Sequence, residues 1–159
     1  MKMNDMNATS NANKTQYGKL VWMVIISFIA MFILMYSIVD KFENVIININ
    51  QFYMAGLMTA AMIIIEIALM GSMYMNKKLN AVIIAIGAVA LVACFLFIRY
   101  QTGEYNKQFL KSMIPHHAAA ILMVKEAKIS DPEIKKLAGD IISSQQKEID
   151  FMKAKLKKK

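Results

Sequence analysis

The chain is short of the residues that staple or interrupt a fold. Among 159 residues it has one cysteine, two prolines, six glycines, one tryptophan and two histidines. A single thiol, Cys94, closes no intrachain disulfide, so cysteine usage gives no information on redox compartment. Cys94 lies in an apolar run and is read as a small apolar side chain. Acidic residues are scarce, 11 against 19 basic ones, for a net charge of +8. There is no Glu-x-x-His pair, which a ferritin-like carboxylate oxidase would need, so the chain is not read as an enzyme. It has no basic stripe with interleaved aromatics and no nucleic-acid fold motif, so no nucleic-acid partner is expected.

What the chain has in quantity is apolar surface: 57% of its residues are hydrophobic. Three runs, Leu20–Val39, Phe52–Met75 and Ala81–Ile98, reach the roughly 20 residues that cross a bilayer as a helix. Their length and continuity favour helix over strand. The first starts too late and runs too long for a signal peptide, and no small-residue cleavage site follows it. Residues 1–19 are polar and expected to be disordered. The expected organisation is therefore a disordered segment 1–19, a three-helix transmembrane domain 20–100 and a metal-binding helical domain 101–159 with a basic tail. A loop is expected near 40–50 and a tight turn at Asn76-Lys77-Lys78. Lys14, Lys19, Lys77 and Lys78 fall on one side, which favours that side as cytoplasmic and the C-terminal domain as extracytoplasmic. Arg99, Lys107 and Lys111 on the other side weaken that bias. The lysine-rich end from Lys153 reads as a solvated tail with a weak attraction to anionic lipid.

After Tyr100 the pattern predicts two helices joined as an antiparallel hairpin, so the fold class is all-α. The first would run from about Glu104 to Ile129, with Thr102 as cap. Ser130-Asp131-Pro132-Glu133 marks the start of the second: a capping residue, proline at the first helical position, then an acid at the positive dipole end. Phe109, Met113, His116, Ala120 and Met123 form one expected seam, and Ile134, Ala138, Ile141, Gln145, Glu148 and Met152 the other. Two helices bury little alone, so a second copy or the membrane part is an expected partner.

The chemistry concentrates at Met113-Ile114-Pro115-His116-His117 and Met123, which place both histidines and two thioethers on about three turns of one helix. Imidazole with thioether suits a soft metal, above all copper(I), for which silver(I) is a surrogate. The bland alternative is a satisfied histidine pair on an apolar face. Pro115 is expected to kink the helix or mark its true start. With the fold-back near residue 130, His116 faces the neighbourhood of 144, so Gln145, Glu148 and Met152 approach the same end. Glu148 then ligates metal or orients a histidine. The second span carries Met54, Met58, Met62, Met70 and Met73. Met58, Met62, Glu66 and Met73 would share an arc of roughly 80° if all were helical. That face is either a loose ladder for copper(I) or adaptable apolar packing. Glu66 inside a span is a functional candidate by its cost.

Residues 104–152 resemble the bacterial domain of unknown function three hundred and five, a ferritin-like, copper-linked family. The resemblance rests on Met113-Ile-Pro-His116-His117, Ala120-Ile121, Met123, Gln145, Glu148-Ile149 and Met152. It implies half of a ferritin-like four-helix bundle, completed by dimerisation, in a bacterial plasma membrane with the metal domain outside. It also implies copper ligands His116, His117, Met113, Met123 and Met152, and no established catalysis. The function expected is copper(I) sequestration or chaperoning at the membrane. The alternative is a copper(I) transporter using the methionines of the second span, although the third span lacks Gly-x-x-x-Gly.

Overall fold

The computed structural model describes residues 2–158, with side chains from Thr15 onward. It contains five α-helices and, among the described residues, no strand. They are α1 (Lys2–Leu34), α2 (Ile49–Leu69), α3 (Lys77–Arg99), α4 (Asn106–Glu126) and α5 (Pro132–Lys157). Two short 3-10 turns, Met35–Ile38 and Phe42–Asn44, lie between α1 and α2. The polar segment that composition leaves without structure is part of α1, because helix propagates at low cost once the apolar half has nucleated it. The basic end is likewise helical, as α5 continues to Lys157.

Three segments are long and apolar enough to cross a membrane: Thr15–Ile38, Ile49–Leu69 and Lys77–Arg99. The second begins and ends earlier than its apolar run. Asn48 sets the start, since its buried side chain accepts from the N–H of Gln51 and donates to the carbonyl of Ile46. The chain leaves the helix after Leu69 through a turn at 70–73, where a Cβ on Gly71 would lie 3.0 Å from the Ile67 carbonyl oxygen. The turn then ends at Asn76, whose side chain caps α3 by accepting from the N–H of Leu79, so Lys77 and Lys78 are helical.

The contacts divide the chain into two compact units: residues 1–32 with 53–100, and 33–52 with 101–159. In the first, small residues let helices approach. A Cβ on Gly56 would meet the Cys94 sulfur at 3.0 Å, and one on Gly87 would meet Ile64 at 3.1 Å. Leu20, Ile67 and Tyr74 form its buried cluster. A polar knot sits beside them: the Tyr17 hydroxyl donates to Asn80 Oδ1 at 2.6 Å, and Asn80 donates to the Tyr74 carbonyl at 2.7 Å. Apolar side chains elsewhere on α1 and α3 face outward, Trp22 at 65% and Val89 at 71% exposure, as lipid-facing residues would.

In the second unit α4 packs on α5 and on both 3-10 turns. The core is Ile114, Ala118 and Ile121 from α4 with Ile149 and Met152 from α5, flanked by Val39, Ile46, Leu110, Met113 and Leu156. Thr102 does not cap α4; Tyr105 holds that position without a side-chain bond. Pro115 does not mark a start either, because α4 passes through it. Asp131 does cap α5, accepting from the N–H groups of Glu133 and Ile134 with Pro132 at the first helical position. Asp131→Ala is expected to cost about 1 kcal/mol. Hydrogen exchange at Glu133 and Ile134 should accelerate in that variant, and unchanged protection there would contradict the assignment.

Candidate metal site

The seam on α4 lies one residue further along than the spacing of Phe109, Met113, His116, Ala120 and Met123 suggests. Ile114, Ala118 and Ile121 are buried, whereas Phe109, His116 and Met123 are exposed, Met123 at 69%. On an α-helix one residue is a rotation of about 100°, and two isoleucines inside gain more from burial than an imidazole and a thioether. On α5 the buried positions are Ile149 and Met152, while Ile134 is exposed. Gln145 is half-buried, and its Oε1 is buried with no hydrogen-bond partner among the described residues.

This rotation separates the two histidines. His117 turns inward, its side chain 14% exposed, and His116 faces out. Their ring centroids are 6.1 Å apart at an interplanar angle of 63°. His117 Nδ1 is 2.9 Å from the Met113 carbonyl oxygen. A carbonyl only accepts, so Nδ1 carries the proton and donates. Nε2 points to Glu148 Oε2 at 2.6 Å. Glu148 thus reaches His117, a few residues beyond the register expected from a fold-back at 130. A backbone acceptor on Nδ1 fixes the ring's orientation, and a cation would reach Nε2 only by displacing the proton it shares with Glu148.

Two thioethers share this seam. Met152 is 5% exposed in the core, and Met113 packs against the same cluster. The structure therefore pairs His117 with Glu148, puts Met113 and Met152 in one apolar cluster on the same two helices, and leaves His116 and Met123 on the outer face. Among the described residues no three of His, Cys, Asp and Glu lie close enough to hold a metal. A site at His117 on one chain would need donors outside that set, and the thioethers of the neighbouring cluster would suit a soft ion better than a hard one.

The methionine face of the second span is interrupted. Met54 and Met58 are exposed and Met62 half-buried on α2, but Met70 and Met73 lie in the turn beyond its end. The arc that would align Met73 with Met58 therefore has no helix to carry it. Glu66 is in the last turn of α2 rather than at mid-span, and accepts a hydrogen bond from the Tyr74 hydroxyl at 3.2 Å. Burial, and after it the neighbouring Glu66 carboxylate, raises the Tyr74 phenol above its ordinary value. Met31 on α1 accepts from the Thr59 hydroxyl at 3.7 Å, so that thioether is engaged in packing between spans.

Residues 64–156 match the family described as Domain of unknown function (DUF305), over more than half of the chain. The chain belongs to that family. The match reaches further toward the N-terminus than the motif residues and takes in all of α3. An uncharacterized protein of Acanthamoeba polyphaga mimivirus is 38% identical over 136 residues, covering 84% of this chain and 88% of its own length. That relative is viral, so the likeness does not carry the bacterial origin expected above. No solved structure matches the chain.

The geometry separates packing from polar contact. Met152→Ala is expected to destabilise the α4–α5 unit by about 2–5 kcal/mol, the cost of a buried Met truncation. Glu148 is 55% exposed, so Glu148→Ala should cost less than about 1 kcal/mol. Thermal unfolding of the full chain in detergent micelles measures both, and equal losses would contradict this description.

Proposed function

We propose that the protein is a membrane-anchored copper(I)-binding protein acting in sequestration or chaperoning, with silver(I) as a surrogate ligand. The observation that carries the reading is His117. Its Nδ1–H is held by the Met113 carbonyl, and its Nε2 opens toward Glu148 on a seam shared with the Met113 and Met152 side chains. A cation entering there would take the place now bridged by the His117–Glu148 hydrogen bond. Imidazole and thioether would ligate it, with Glu148 as ligand or as an outer acceptor and Gln145 supplying a free buried oxygen. The reading assigns no catalysis.

In this reading α4 and α5 form an antiparallel hairpin, half of a ferritin-like four-helix bundle. Phe109, His116 and Met123 recur every seven residues on the outward face of α4, and Leu137 and Phe151 are exposed on α5. A second copy docked on that face would bury these apolar groups and bring His116 and Met123 into a shared site. The dimer is thus part of the proposal.

The membrane placement has its own support. Three crossings put the α1–α2 connection and the C-terminal helices on one side, and residues 33–52 group with 101–159. Tyr17 near the start of the first span bonds Asn76 and Asn80 at the α2–α3 turn, as the opposite side requires. Lys19, Lys77 and Lys78 mark that side as cytoplasmic, which leaves α4 and α5 outside the cell. The transporter alternative gains no matching support, because its methionine face stops at Leu69.

Copper(I) competition against a chromophoric chelator tests the site on the full chain in micelles. Stoichiometric binding is expected, weakened at least about tenfold in His117→Ala and lost in His116→Ala/His117→Ala. Unchanged stoichiometry and affinity in the double variant would refute the proposal.

A further inference from the structure

The chemistry of α4 does not end at the histidines. Besides Gln145 Oε1, four side-chain oxygens in the same unit are buried and have no hydrogen-bond partner among the described residues: Asp40 Oδ2, Asn44 Oδ1, Glu104 Oε2 and Gln108 Oε1. Buried acceptors are normally satisfied, and one left unpaired calls for an unseen water or ion. Here two of the four belong to carboxylates, and no Lys, Arg or His forms an ion pair with either among the described residues.

Asp40 and Asn44 belong to the connection that packs on α4, while Gln108 lies in the first turn of that helix and Glu104 just before it. At about 100° per residue, Gln108, Ser112, Pro115 and Ala119 occupy one arc of α4 about 60° wide. Leu110, Ile114, His117 and Ile121, the side toward α5, occupy the opposite arc. Ser112, Pro115 and Ala119 are nevertheless buried. The elements that pack on α4 besides α5 are the two 3-10 turns, and Val39 and Ile46 of the same connection reach the Ile114–Ile149 cluster, so this connection is what the unit has left to cover Ser112, Pro115 and Ala119. Asn44 in the second turn is 2% exposed, and its amide donates to Asp40 Oδ1 at 2.6 Å. From the other side, Glu104 Oε1 accepts from the Ser112 hydroxyl at 2.6 Å, which folds the carboxylate back along α4 beside Gln108. One oxygen of each carboxylate is thus fixed by a hydrogen bond, and the second is buried without a partner among the described residues.

We infer that Asp40, Asn44, Glu104 and Gln108 bind a hard divalent cation of calcium size between the α1–α2 connection and the start of α4. Two carboxylates balance the charge of such an ion. Two amide oxygens extend the shell, and all-oxygen ligation with flexible geometry suits calcium better than magnesium. The site contains no sulfur or imidazole, so it is chemically distinct from the soft site at His117. Its occupation would clamp residues 39–46 onto α4 and satisfy acceptors that otherwise carry a desolvation penalty. The inference does not rest on copper binding.

Full-length protein in detergent micelles, stripped with a chelator, is titrated with calcium chloride and followed by calorimetry and by thermal unfolding. One calcium per chain and a rise in Tm of several degrees are expected at about 10 mM calcium, roughly ten- to a hundredfold above the dissociation constants of sites outside the cytosol. Magnesium at the same concentration should produce a clearly smaller rise. Asp40→Asn and Glu104→Gln should each weaken calcium binding at least about tenfold. In calcium-free buffer the same variants should be as stable as the parent or more so, since each removes an uncompensated buried charge. His117→Ala should bind calcium like the parent, which separates this site from the copper reading. Absence of both a binding heat and a calcium-dependent Tm in the parent chain would overturn the inference. So would equal effects of magnesium, or undiminished binding in both carboxylate variants.

Discussion

The domain that carries the chemistry depends on one apolar contact. Ile149 and Met152 of α5 close on Ile114, Ala118 and Ile121 of α4, and Ile114, Ile121 and Ile149 are completely removed from solvent. Each such side chain contributes roughly 1.5–3 kcal/mol on burial. That preference fixes the rotation of α4 about its axis, and the rotation decides the fate of every polar group on it. It turns His117 in and His116 out, brings Met113 and Met152 to one cluster, and presents Gln108 and Ser112 to the 3-10 turns on the far side.

The consequence is a helix with three working faces. One packs on α5 and holds an oriented imidazole beside thioethers. A second buries Ser112, Pro115 and Ala119 in a unit that also holds the 3-10 turns. The third shows Phe109, His116 and Met123 outward, where a second copy would find both apolar area and metal ligands. If both proposed sites are filled, soft and hard donors lie on different sides of one helix, and competition between metals would be limited by chemistry. The covering segment is also the connection between the first two spans, which ties the site to the membrane part through the chain itself.

Much of this was legible in the sequence, and the reasons differ by element. The three apolar segments and the Asp131-Pro132 start of α5 follow from strong local signals, long hydrophobic runs and a capping residue before proline. The histidine–methionine motif was visible from residue types alone. The one-residue rotation of the seam was not. Phe109, Met113, His116 and Met123 fit heptad spacing as well as Leu110, Ile114, His117 and Ile121 do, and only the packing of isoleucines against α5 decides between them. The end of α2 was hidden by the apolar residues that follow it, since Met70, Met73 and Tyr74 extend the hydropathy into a turn closed by Asn76. The proposed oxygen site left almost no sequence signal. Asp40 and Asn44 are about sixty residues from Glu104 and Gln108, and nothing local marks them as neighbours; unpaired acidic residues near the ends of spans were the one available hint.

The central claim is that imidazole and thioether sulfur converge on one soft ion. X-ray absorption at the copper edge, on the full chain loaded with one equivalent of copper(I) in micelles, reads those neighbours directly. The account predicts sulfur scatterers together with the multiple-scattering signature of imidazole. A shell of oxygen and nitrogen without sulfur would contradict it.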